Sequence, residues 1–216
     1  VPNVDLSTSF GLDHKVGLTA PIILPAIAKL NWQDYFGGAA LAGVAAVIGE
    51  GVVGKDPGLV LERGRVVSLP LIEAMVGAFR KYERGYGDIV LQANFDDESF
   101  GVLEYGITKL GIKSVELKFG QAAKGIQAMS PVEDLETALR LQELGYAIYP
   151  DPSDSDVAEA YKEGRGPAFE KVDKLPFWDE ESLIQRVAKL KELGAKRVCF
   201  KTGPYDPRDL IRIIKI

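Results

Sequence analysis

The chain has 216 residues, 46% of them hydrophobic and 26% charged, which is the composition of a soluble globular protein with length for a large core. Its net charge of −5, with no polybasic run, disfavours nucleic acid or an anionic membrane surface as a general partner. One cysteine (Cys199) and one histidine (His14) exclude an internal disulfide and a Cys/His zinc site, and leave an iron–sulfur cluster without ligands in this chain alone.

The most apolar stretch, Gly37 to Gly49, is rich in Gly and Ala and falls short of the roughly 18 apolar residues of a membrane span. No secretory signal pattern occurs, and the cysteine usage fits a reducing, cytoplasmic compartment. The chain opens on Val1 and closes within an apparent helix, so an excised or incomplete piece is expected.

Residues 1–18 are polar and aperiodic and read as an extended lead-in carrying a surface His14. Pro21 to Leu24 is a short apolar strand, and Asn31 to Gly43 has helical spacing of Trp32, Tyr35, Phe36, Ala39 and Ala40, which suits a core face. Val44 to Gly49 is a second strand, closed by Gly49-Glu50-Gly51. An excursion with a turn at Lys55-Asp56-Pro57-Gly58 leads to a helix capped by Ser68, with Pro70 in its first turn, running to about Glu83. Asp88 to Asn94 is a third strand, followed by a helix with Phe100, Leu103, Ile107 and Leu110 on one side.

The fourth strand lies in Leu110–Gly125, which is echoed at Leu193–Gly203: both read Leu-Gly, a strand, then a lysine and a glycine at the exit. Alternation puts Ser114, Glu116 and Lys118 on one face and Val115, Leu117 and Phe119 on the other. In the second copy Arg197, Cys199 and Lys201 oppose Val198 and Phe200. Between the copies, Ser130-Pro131-Val132-Glu133 reads as a capping box opening a helix to Gly145. Ala147 to Tyr149 is a fifth strand, Asp156 to Glu163 a short helix, and 165–177 an irregular loop. A helix from Asp179 to Gly194, the sixth strand Arg197 to Lys201, and a helix from Asp206 complete the reading.

Strands alternating with helices give an α/β chain with a parallel sheet, either doubly wound and open or a (β/α)₈ TIM barrel. Alternate strands of a barrel feed one interior layer, so lysines on the fourth and sixth strands are expected at matching height, which favours the barrel. About six βα units are present of the eight in a closed barrel, so residues 19–216 are read as the N-terminal part of one barrel domain, incomplete at its C-terminus. An open flank would favour a homo-oligomer.

Catalytic groups of such a barrel sit at strand C-termini. The candidates there are Glu50, Gln92, Asn94, Lys118, Gln121, Lys124 and Lys201. Two lysines at one mouth repel unless an anion, Glu50 or Glu116 compensates; solvated strand-end lysines, or lysines that pair only with Glu116, are the plainer reading. The loop Gly120 to Gly125, carrying Gln121 and Lys124, allows close backbone approach to a ligand or forms a structural turn. Cys199 reads as a buried filler rather than a nucleophile, with no histidine near it. No GxGxxG or GxxxxGK[ST] stretch supports a dinucleotide or triphosphate site.

Val47-Ile48-Gly49-Glu50-Gly51, Leu91-Gln92-Ala93-Asn94, Glu116 to Gly125 and Phe200-Lys201-Thr202-Gly203 occur in an order and spacing that resembles the FMN-binding glutamate synthase-like family, from about residue 19 onward. The resemblance implies a flavin-dependent (β/α)₈ barrel in which Glu50, Lys118, Gln121 and Lys124 border the substrate side of FMN. It also implies that Gln92 and Asn94 lie at the cofactor, with Lys201 near the N1/O2 edge of the flavin, where positive charge favours the reduced form. The implied reaction passes hydride between flavin and an amino- or imino-dicarboxylate such as 2-iminoglutarate, with an electron-donor protein or subunit as partner. The chain departs from the family at Ala122 and at Gln127-Ala128, where glycines are usual, and in lacking cluster cysteines; the phosphate-binding loops would lie beyond Ile216, so this piece alone is expected to hold FMN poorly, if at all. Two other functions compete: a flavin-free regulatory or assembly barrel, and a barrel enzyme acting on a phosphorylated metabolite.

Overall fold

A computed structural model describes residues 4–27, 31–51, 54–118, 129–172 and 180–201; Gln121, Lys124 and the helix expected from Asp206 lie outside them. The first residues form more than an extended lead-in. β1 (Thr8–Phe10) and β2 (Val16–Leu18) pair antiparallel, each supplying the backbone partners the other's extended chain requires. Gly17 O accepts from Gly87 N–H at 2.8 Å and His14 O accepts from Arg197 Nη1 at 2.6 Å, which ties the hairpin to the strands that follow.

β3 (Ile23–Leu24) leads to α1 (Trp32–Ala42), where Phe36, Ala39 and Ala40 are buried at the expected helical spacing. Gly43 ends the helix at φ 66°, in the left-handed region that glycine occupies without a Cβ clash, and its N–H reaches back to Ala39 and Ala40 carbonyls. β4 (Ala45–Ile48) is buried throughout. The excursion after it contains a hairpin, β5 (Val60–Glu62) and β6 (Arg65–Ser68), turned by Arg63 and Gly64 with φ of 50° and 73°. Ser68 is therefore a strand end, not a helix cap. α2 (Pro70–Arg80) starts with Leu69 at its N-cap, and the buried Asp56 meets its first turn by accepting from Leu71 N–H at 2.8 Å.

β7 (Asp88–Ala93) is followed by α3 (Phe95–Phe100) and α4 (Val102–Thr108), broken apart at Gly101. β8 (Ser114–Lys118) is the first lysine strand. After it the chain runs through β9 (Met129–Val132), α5 (Leu135–Glu143), β10 (Ile148–Tyr149), α6 (Ser155–Lys162) and β11 (Phe169–Val172), then α7 (Glu180–Leu193) and β12 (Arg197–Lys201).

Two compact units result, one of residues Val1–Gly120 with Pro176–Ile216, the other Gln121–Leu175 inserted between β8 and α7. The first holds a five-stranded parallel sheet of order β12-β8-β7-β4-β3 with helices against it, so consecutive strands of the sheet are neighbours throughout. The second is an antiparallel sheet of order β10-β11-β9 with α5 and α6.

The second unit corrects three expectations. Ala147 to Tyr149 is not a strand of the parallel sheet, because Ile148 and Tyr149 pair antiparallel with Lys171 and Glu170. Ser130 and Pro131 are strand residues opposite Lys171 and Glu170, and the helix starts four residues later on Asp134, whose carboxylate accepts from Thr137 N–H at 2.7 Å. The irregular loop contains β11, with Phe169 buried and its ring 5.1 Å from that of Tyr161. The two lysine strands are consequently adjacent in the sheet rather than alternate.

Gly87 shows how tightly the amino edge of the sheet is built. It has φ 82°, and a Cβ there would lie 2.6 Å from Val44 O. Backbone can yield little at that distance, so Gly87→Ala is expected to lower the unfolding free energy by about 2 kcal/mol in urea titration. An unchanged midpoint would show that the β2–β7 junction relaxes freely.

Candidate functional site

Register and alternation assemble one polar face on the parallel sheet. Parallel partners share a face, so Ser114 lies beside Arg197, Gln92 and Cys199 flank Glu116, and Lys118 lies beside Lys201. At the amino end Arg197 donates to Ser114 Oγ and, at 3.1 Å, to Asp88 Oδ2, while Ser114 donates to the same carboxylate. That cluster closes the strands' start. The face stays polar up to the carboxyl end, where the lysines emerge.

Lys118 is 8% exposed, and its ammonium donates to Glu50 Oε1 from the loop after β4. Glu50, not Glu116, is thus the acid it pairs with. Burial alone would raise the Glu50 carboxyl's pKa, but the Lys118 hydrogen bond and charge, with help from Lys55, outweigh it and hold the group below its ordinary value. Lys55 Nζ also donates to Glu50 O at 3.4 Å. Lys201, in register with Lys118, is half-buried and has no carboxylate partner among the described residues.

Gln92 is buried and both ends of its amide are engaged: Oε1 accepts from Glu50 N–H at 3.4 Å, and Nε2 donates to Glu116. It therefore links the Glu50 backbone to the Glu116 carboxylate. Asn94, expected at a cofactor, is the N-cap of α3, accepting from Asp97 N–H at 2.9 Å. Asp97 returns the bond, its Oδ2 accepting from Asn94 N–H at 3.1 Å and also from Gly51 N–H at 2.8 Å. One carboxylate oxygen thereby joins the start of α3 to the Glu50 loop.

Asp97 is fully buried, and its Oδ1 has no hydrogen-bond partner among the described residues. Burial pushes its carboxyl up to about 7; the Gly51 and Asn94 amides oppose this, and the charges of Glu50 and Asp96 add to it. Sequence reasoning missed this residue. Its signal was the Asn94-x-x-Asp97 spacing of a capping box before a helix; its second bond, to Gly51, is long-range and left no local trace.

Cys199 is exposed, contrary to the buried filler expected, because β12 forms an edge of the sheet. Desolvation on the sheet face and the neighbouring Glu116 push its thiol up to about 11, so the thiolate is scarce near neutral pH. The site thus brings together Glu50, Gln92, Glu116 and Lys118, places Lys201 beside Lys118, and assigns Asn94 to a helix cap. Gln121 and Lys124 lie outside the described residues. Among the described residues, no group of three or more His, Cys, Asp or Glu side chains could hold a metal ion, and no helix is long and apolar enough to cross a membrane.

Behind the site, α7 is held to α3 and α4 by Arg186. Its guanidinium donates to both oxygens of Glu98 and both of Glu104, with separations of 2.9 and 3.1 Å to the latter. Arg65 of β6 reaches Glu104 as well, at 3.1 Å. Since α7 feeds directly into β12, this network fixes the helix that carries the chain to Lys201. Comparison with protein-family models, curated proteins and solved structures found no match to the chain.

Proposed function

We propose that this chain forms the first part of an FMN-dependent oxidoreductase barrel of the glutamate synthase-like class, acting on an amino- or imino-dicarboxylate. The observation that carries the reading is the unequal state of two lysines side by side at the carboxyl end of the sheet. Lys118 is neutralised by Glu50, whereas Lys201 meets no acid among the described residues. A half-buried ammonium without a counter-ion among the described residues, next to a buried ion pair, favours an added anion.

The consecutive strand order supports the barrel. A doubly wound sheet reverses its order at the crevice where ligands bind, and these five strands run without reversal. Crossovers of the usual right hand would then lay the helices on one face and leave the polar face as the barrel interior.

The residues present fit a flavin at its ring edge. Lys201 would hold the anionic side of the ring system, and FMN when bound would supply two-electron hydride chemistry. Lys118 would offer an entering carboxylate an ammonium that it shares with Glu50, on a loop anchored at Gly51 by Asp97. Gln92 links the Glu50 backbone to Glu116. Lys201 and Lys118 thus divide cofactor and substrate charge between them.

Titrating the protein with FMN, followed by flavin fluorescence and visible absorbance, tests this reading. Weak but saturable quenching with a shifted spectrum, further altered by 2-oxoglutarate, is the expected result, since the resemblance puts the phosphate-binding loops outside these residues. A response to phosphate monoesters with none to FMN would point instead to a barrel enzyme for phosphorylated metabolites, and inertness to both to a regulatory or assembly module.

A further inference from the structure

Several buried and half-buried carboxylates have plain duties. Asp56 caps α2, Glu98 and Glu104 hold Arg186, and Asp88 binds Ser114 and Arg197. Asp97 differs. It is wholly enclosed, both hydrogen bonds its carboxylate accepts fall on Oδ2, and Oδ1 is left without a partner among the described residues beside the Glu50 loop. An unpartnered buried carboxylate oxygen is most costly as an anion, and a proton on that oxygen removes the charge and leaves the smaller cost of an unpaired neutral O–H.

We propose that Asp97 is a positioning residue for the Lys118–Glu50 pair that exchanges a proton with solvent at Oδ1, so that the grip on the Glu50 loop follows pH and the charge on Glu50. The proton seat and the grip are on different atoms. Protonation at Oδ1 leaves the Oδ2 bonds to Gly51 and Asn94 in place but turns them from charge-assisted to neutral, roughly halving their strength. Loss of the proton tightens the hold on Gly51, next to the residue whose carboxylate engages Lys118.

The charged groups around Asp97 set the direction of coupling. Glu50, on the loop after β4, and Asp96, on its own helix, both oppose the Asp97 anion. Lys118 and Lys55 act on it through Glu50, the first at its carboxylate and the second at its carbonyl. An arriving anion that draws Lys118 away from Glu50 leaves the Glu50 charge less screened and promotes proton uptake at Asp97.

The amide of Gly51 reports the grip directly. In ¹⁵N–¹H spectra of the full chain from about pH 5 to about pH 9, its proton resonance is expected to move downfield with rising pH, with a midpoint near 7. Glu50→Gln removes one repelling charge and should lower that midpoint by about one pH unit. Asp97→Asn should abolish the step. A Gly51 amide that does not titrate in this range overturns the proposal, as does an unmoved midpoint in Glu50→Gln or a step that survives in Asp97→Asn. The wild-type and Glu50→Gln curves decide the matter even where Asp97→Asn does not fold.

Discussion

Replacing Arg186 with methionine is expected to remove about 3–5 kcal/mol of unfolding free energy, the penalty typical of breaking a buried ion pair by deleting one partner. The side chain of Arg186 is 13% exposed and that of Glu98 only 8%, so water cannot replace the lost guanidinium at Glu98. Burial already pushes the Glu98 carboxyl up despite Arg186, and Glu104 pushes it further. Without the arginine, two carboxylates that share one cation face each other, with only Arg65 left, on the Glu104 side. Arg186→Lys should restore part of the loss, since it keeps the charge but cannot span both acids with a planar fork. Urea unfolding measures both variants; a loss below about 1 kcal/mol for Arg186→Met would mean that the network behaves as an exposed one. Because α7 leads straight into β12, the same change should also loosen the setting of Lys201.

The second large effect is a pH dependence of stability that belongs to Asp97. Its carboxyl has an ordinary value of 3.8 and rises to about 7 in the folded chain. Between these values the folded state binds a proton that the unfolded state has released, so stability falls as pH rises through this window and levels off above it. From about pH 5 to about pH 8 the decline attributable to Asp97 is about 3 kcal/mol, as an upper figure. Asp97→Asn keeps an acceptor oxygen for Gly51 and Asn94 and has no charge to bury. The wild type should therefore lose stability relative to the variant across that interval, and the two chains should differ least at the acid end. Parallel curves would show that Asp97 is ionised without penalty. Comparing two chains cancels other titrating groups, such as Glu50, whose lowered carboxyl adds stability that is lost only towards lower pH.

Much of the parallel sheet was legible because its signals are local. Arg197–Lys201 was bounded as observed, and Asp88–Ala93 and Ala45–Ile48 lie within a residue of the segments read from alternation and glycine caps. The lysine repeat was real, but its geometric reason was not the one inferred. Lys118 and Lys201 stand at one height because their strands are neighbours in register, not because alternate barrel strands share a layer. That error came from counting Ala147–Tyr149 among the parallel strands. A strand of two residues carries no record of its partner, and the pairing of Ile148 with Lys171 spans a helix. Ser130 misled for a related reason: its Ser-Pro-Val-Glu pattern matches a helix start, yet β11 offered the backbone a ladder and Asp134 supplied a better cap. In the site, the acid that Lys118 chooses and the bond from Gly51 to Asp97 are both tertiary. Residue types announced a charged strand end; only the fold shows which of its charges are matched.

Under the proposed function, Lys201 takes an anionic cofactor beside Lys118, which Glu50 already engages. Parallel FMN titrations of the wild type and Lys201→Met, with the reduction potential of the bound flavin measured in each, test it most directly. The account predicts saturable FMN binding by the wild type, weakened about tenfold or more in Lys201→Met by loss of a charge-assisted contact, and a lower potential for whatever flavin the variant retains. Equal affinity and equal potential in the two proteins, or no binding by either, would contradict it.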